Sequence, residues 1–255
     1  MPASYAHYRF GKLLLPKLPA DVRQCIQRFR RMYDMGLQGP DFFFYYNPFA
    51  KTAIGDLGQV FHAQTGTEFF GRVCNQVDSE AAQAYLYGLL AHYCLDSVSH
   101  PFVNQMTNIG EAKHIALESE FERKLLQTDG VTVPHNYDRG RHLRPTRGEC
   151  MTIASFFPGV SGGQVSRSVT IMGWCLRFLD SPKREKHEKL MGRFCPGLME
   201  HLIPTQPVED YSYLIRELQE LYEQALQQYP RMLEELQQFK KTGDPLSSLF
   251  TPDFG

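Results

Sequence analysis

Two helix-spaced runs carry the chemistry of this 255-residue chain: His92-x-x-x-Asp96-x-x-x-His100 and His114-x-x-x-Glu118. An α-helix turns every 3.6 residues, so side chains four apart stack on one face. His92, Asp96 and His100 would drift only about 80° around the axis and point at one place. Imidazoles and carboxylates that converge are the donors a zinc ion selects, at about 2.0–2.2 Å. Two such segments close together in sequence predict a centre holding more than one ion. Each pair alone also reads as a helix-stabilising ion pair worth a few tenths of a kcal/mol, and a lone helical histidine as an ordinary hydrogen-bonded residue. Convergence shifts the balance. Gly39-Pro40-Asp41 sets a carboxylate at a turn, His62 lies in the next helical stretch, and His7 sits in an aromatic setting, Tyr5-Ala6-His7-Tyr8. Five of the nine histidines then join three carboxylates in the first half of the chain.

Helices must position these groups, and helical periodicity dominates the sequence. Residues 20–35 place Val22, Ile26, Phe29 and Met32 at helical spacing. Residues 53–70 and 79–100 are expected to be helices, the second opening at Ser79 and stopped by Pro101 immediately after His100. Residues 111–127 form the next, with Thr128-Asp129-Gly130 as its exit. The stretch 128–148, rich in Gly, Pro, Arg and Asp, is expected to be a long loop. Weaker helices are expected near 163–179 and 184–200, and 208–240 is long and amphipathic. Its stripe of Leu214, Leu218, Leu221, Ala225, Tyr229, Leu233 and Leu236 is a core face, with Pro230 placed to kink it. No repeat or composition shift marks a boundary, so the expected architecture is one all-α, multi-helix domain over 1–255.

Composition narrows the function classes. A net charge of −1 argues against a broad nucleic-acid footprint or a polybasic membrane anchor. The six cysteines, Cys25, Cys74, Cys94, Cys150, Cys175 and Cys195, form no C-x-x-C pair and read as small buried hydrophobes. No stretch reaches the roughly 18 apolar residues of a transmembrane helix, and Leu13-Leu14-Leu15 is cut short by Pro16. A cytoplasmic location is the expectation.

In chain order, His7, Asp41, His62, His92, Asp96, His100, His114 and Glu118 resemble the ligand set of the zinc-dependent phospholipases C, the family that includes the clostridial alpha-toxin catalytic domain. The run His-x-x-x-Asp, then His-Pro, then His-x-x-x-Glu carries the resemblance, which covers residues 1–120. It implies an all-helical domain with two or three zinc ions. Asp41, His62, His92 and Asp96 would hold the first; His100, His114 and Glu118 the second. Asp96 would bridge to a third, shared with His7 and with the N-terminal amine and carbonyl. Secreted members present a tryptophan there, whereas this chain begins Met1-Pro2, so Pro2 would take that role after removal of Met1. The step from Asp96 to His100 is also slightly shorter than in those enzymes.

The implied substrate is a phospholipid or small phosphodiester. Three zinc ions facing three carboxylates would leave the pocket positive, which suits an anion. Asp41 is either a ligand alone or also a general base on the attacking water. Of the aromatics next to it, Phe42 is the candidate wall of a choline-binding pocket, through a cation–π contact of about 0.5–2 kcal/mol, the remainder being core. His135 and His142 could supply outer contacts. Arg139, Arg141, Arg144 and Arg147 read as solvated loop arginines or as phosphate partners, and His187 as part of a solvated helix face. Two other functions stay open: a single-strand nuclease with a similar trinuclear centre, and a non-catalytic helical zinc protein. Glu118 favours the lipase side, since those nucleases tend to use Asp there, and the neutral charge lacks a strand-binding groove.

Overall fold

The structure, a computed structural model, describes residues 4–183, 186, 189 and 196–255. Among them there are eleven helices and no strand, so the fold is all-α. In chain order they are α1 (Ser4–Leu14), α2 (Ala20–Arg28), α3 (Arg30–Gly36), α4 (Ala53–His62), α5 (Gly66–Val73), α6 (Glu80–Asn108), α7 (His114–Thr128), α8 (Arg147–Ala154), α9 (Gly162–Leu179), α10 (Pro196–Met199) and α11 (Ser212–Thr242). Met1, Pro2, Cys195, His187 and most of the helix expected over 184–200 lie outside the described residues.

Helix α6 is the axis. The Ser79 hydroxyl accepts from the Ala82 N–H and opens it, and every residue from Ala84 to Asp96 is buried. A helix buried on all sides must be wrapped; α1, α2, α3, α7, α8 and α11 do so. The tightest crossing is with α3. Gly88 lies so close to α3 that a Cβ there would stand 2.2 Å from the Tyr33 carbonyl oxygen, and one at Gly36 would stand 2.3 Å from that of Tyr85. Two facing glycines let the backbones touch, and this contact holds the turn after α3 directly over the next turn of α6. Along α11, Leu214, Leu218, Ala225, Tyr229, Leu233 and Leu236 are buried and Leu221 is half-buried, a core face as expected. Pro230 lies inside that helix.

Three boundaries differ from the sequence reading. Pro101 does not stop α6, which runs on to Asn108. Proline in a helix interior costs about 3 kcal/mol, and burial of Val103 with Phe102 and Met106 packed on the core offsets it. The stretch 20–35 breaks at Phe29, whose φ of −118° and ψ of 45° leave the helical region. The stretch 53–70 is two helices, because Thr65 and Glu68 form a capping box that starts α5. Thr146 and Glu149 likewise open α8 at the end of the expected loop. Gly130, at φ +80°, lies just past α7, the predicted exit. Of the cysteines, Cys74, Cys94, Cys150 and Cys175 are buried and Cys25 is half-buried. No helix among the described residues is long and apolar enough to cross a membrane.

Candidate metal centre

The chain ordered by the α3–α6 crossing delivers the first ligands. Gly39, at φ +49°, turns the backbone against the His92 ring, and Asp41 opens a short 3-10 turn, Asp41–Tyr45. His62 is the last residue of α4, whose start is capped by the Thr52 hydroxyl. His92, Asp96 and His100 climb one face of α6, His114 and Glu118 lie on α7, and α1 brings His7. All eight predicted residues meet in one region, and all but the half-buried His114 are buried.

The distances form a chain of close contacts. Asp41 Oδ1 is 2.8 Å from His62 Nε2 and 3.9 Å from His92 Nε2. Asp96 places Oδ2 at 3.0 Å from His92 Nε2 and Oδ1 at 3.2 Å from His7 Nε2. Glu118 Oε1 is 3.3 Å from His100 Nε2 and 3.1 Å from His114 Nε2. Two donors about 2.0–2.1 Å from one tetrahedral ion stand about 3.3 Å apart, so these spacings suit shared coordination. Three sets of donors lie close enough to hold an ion: His7, Asp41 and His92; His62, His92 and Asp96; His100, His114 and Glu118; the first two share His92, whose Nε2 serves one ion at a time.

Tautomers sharpen the case. A backbone carbonyl can only accept, so three rings must carry their proton on Nδ1. His62 Nδ1–H donates to the Gly58 carbonyl (2.8 Å), His92 Nδ1–H to that of Leu37 (3.2 Å) and His100 Nδ1–H to that of Phe254 (2.8 Å). Each Nε2 then faces a carboxylate oxygen. Lone pair meets lone pair unless a second proton or a cation lies between. Burial together with the neighbouring His7 lowers the His92 pKa, so His92 resists that second proton. Accordingly His92 Nε2 and Asp96 Oδ2 are buried without a hydrogen-bond partner, as are His7 Nδ1 and Glu118 Oε2. Orphaned donor atoms of this chemistry, with the His62, His92 and His100 rings each oriented by a carbonyl, fit a divalent ion.

At the group of His100, His114 and Glu118 a proton stands in when no ion is bound. Burial opposes a charge on His100, but Asp96 and Glu118 outweigh it and raise its pKa to about 9. Burial also opposes ionisation of Glu118, yet His100 and His114 hold it down at about 2. Asp96, buried but surrounded by His100, His92 and His7, and Asp41, buried beside His92 and His62, are both held below the ordinary carboxylate range. All three carboxylates are therefore anionic near neutrality.

Several supporting residues were not legible in advance. Glu122, one turn beyond Glu118, accepts from the backbone N–H groups of Tyr5 and Ala6 and so ties the start of α1 to α7 beside His7. Arg139 donates to Glu122 Oε2 (2.6 Å) and pairs with Asp180 (2.8 Å). It is only 1 % exposed, a buried clamp and not a solvated loop arginine, whereas Arg141, Arg144 and Arg147 are exposed. His142 stacks on Tyr8 at 4.4 Å, and burial with Arg141 and Arg30 nearby lowers its pKa to about 3. Phe42 is also corrected: fully buried against Phe43 and Phe157, its ring belongs to the core. A half-buried aromatic beside the ligands is Phe44, 5.1 Å from the His62 ring.

A cavity of about 30 Å³ lies between His7, Asp96, His100 and Glu118, room for a water. A larger one, about 180 Å³, reaches Asp96 and His100 past Asn104 and Pro252–Gly255. No protein-family model, no curated protein and no solved structure matches the chain.

Proposed function

We propose that this chain is a zinc-dependent phosphodiesterase of the phospholipase C class, acting on phospholipids or small phosphodiesters. The observation that carries the reading is the set of three imidazoles whose Nδ1–H groups are committed to carbonyls while each Nε2 faces a buried carboxylate. Two or three zinc ions held there would supply positive charge against the phosphoryl oxygens and lower the pKa of an attacking water toward about 7.

The residues of the chain supply the rest. Asp41, Asp96 and Glu118 are three anions, so two or three divalent ions leave a net positive site, complementary to a diester. Asp41 is held below the ordinary carboxylate range and faces two imidazoles, which supports a role as ligand. The cavity beside Asp96 and His100 offers an approach for the phosphate. The donors are all imidazoles and carboxylates with no cysteine among them, a set that suits a hydrolytic centre better than a Cys-rich structural site.

The test combines metal analysis with two assays, hydrolysis of a chromogenic phosphorylcholine ester and digestion of single-stranded DNA. Zinc with turnover of the ester alone is the expected result. Digestion of DNA alone would replace this reading by a nuclease, and zinc with neither activity by a structural metal protein.

A further inference from the structure

The segment 247–255 lies more than a hundred residues from every α6 and α7 ligand, yet it is built into their surroundings. Two aromatic knobs seat it. Phe250 packs against Phe70 (5.7 Å) and Tyr93 (6.0 Å), and Phe254 against Tyr93 (4.9 Å) and Phe69 (5.1 Å); both are fully buried. The Tyr93 hydroxyl donates to the Pro252 carbonyl at 2.8 Å, the Gly66 N–H donates to the same oxygen at 3.0 Å, and Thr67 Oγ1 donates to the Phe250 carbonyl at 3.1 Å. So anchored, the backbone of Phe254 bridges two ligands from different groups. Its N–H donates to the His62 carbonyl at 3.0 Å and its carbonyl accepts from His100 Nδ1–H at 2.8 Å.

We propose that Pro252–Gly255 is a positioning element of the metal centre, which fixes the His100 ring through the Phe254 carbonyl and walls the cavity leading to Asp96. This rests on the metal-centre reading above. A carbonyl behind a ligating imidazole sets its tautomer and orientation, and its loss typically lowers metal affinity 10–100-fold. Asp253, Pro252 and Gly255 line the approach cavity together with His100 and Asn104, so the same segment shapes what enters. The fit is close: Gly255 has φ +106°, and a Cβ there would stand 2.1 Å from His100 Nδ1.

Gly255→Ala is therefore the informative variant, since it removes no ligand and no core side chain. Gly159→Ala is its control, with a similar φ of +81° and nothing within 4 Å of the added Cβ. Zn²⁺ binding is measured by equilibrium dialysis on the full chain. The His100 ring nitrogens are followed by ¹⁵N NMR without metal, and helix content by circular dichroism. The expected result for Gly255→Ala is unchanged helix content, Zn²⁺ binding at one site weakened 10–100-fold, and loss of the hydrogen-bonded Nδ1–H signal of His100; Gly159→Ala should match the unaltered chain. Zn²⁺ binding and a His100 signal both unchanged in Gly255→Ala would overturn the proposal. If the unaltered chain takes up no Zn²⁺, the metal reading falls, and the His100 signal alone still decides whether this segment holds the ring.

Discussion

Gly39→Ala tests the architecture of the centre without touching a candidate ligand. A Cβ at this position would stand 2.1 Å from His92 Cδ2 and 2.2 Å from Nε2, where ordinary contact begins at 3.4 Å. The ring must retreat by about 1.2 Å, while metal–ligand distances tolerate about 0.2 Å. Residue 39 also has φ +49°, which costs an L-residue about 1–2 kcal/mol. Gly110→Ala carries the same backbone penalty at φ +82° with nothing within 4 Å, so the comparison of the two variants isolates the displacement of His92. Both should lose about 1–2 kcal/mol in denaturant melts of the metal-free chain, Gly39→Ala somewhat more. Only Gly39→Ala should lose zinc, read by plasma mass spectrometry after gel filtration, and with it at least 100-fold of any hydrolysis. A Gly39→Ala protein that retains full zinc content would refute the placement of His92 as a ligand.

Other outcomes rest on the same geometry. Glu122→Gln leaves Arg139 with one carboxylate partner and weakens the tie to Tyr5 and Ala6, so denaturant melts should show a loss of about 3 kcal/mol; a change under about 0.5 kcal/mol would contradict the buried clamp. Phe42→Ala should cost about 3–5 kcal/mol of stability, as a fully buried ring does, and a mild effect on melting with a large one on KM would restore Phe42 to the pocket wall. In the metal-free chain the raised His100 pKa contributes stability that is complete below about 6.5 and lost as pH rises through about 9, so melting temperature should fall across that window. Zinc must displace that same proton, and its apparent affinity should drop about tenfold per pH unit below 9; a pH-independent titration speaks against His100 as a ligand.

Helical class and the ligand-bearing spacings were readable because both are local. His92, Asp96 and His100 share a face by period alone, as do His114 and Glu118. What escaped the sequence depends on distant partners. Pro101 carries a stop signal, but burial of Val103 outweighs it. Arg139 looks solvated until Glu122 and Asp180 are found beside it, and Phe42 looks available until Phe157 covers it. The tie from Tyr5 to Glu122 spans 117 positions and that from His100 to Phe254 spans 154, with no local pattern to announce either. The capping boxes at Thr65 and Thr146 were legible signals, and they mark helix starts that periodicity alone passes over.

Anomalous diffraction at the zinc edge, from crystals of the zinc-reconstituted chain, tests the central claim most directly. Two or three peaks should appear among His7, Asp41, His62, His92, Asp96, His100, His114 and Glu118, each with donors at about 2.0–2.2 Å. A map with no peak among these eight side chains would contradict the account.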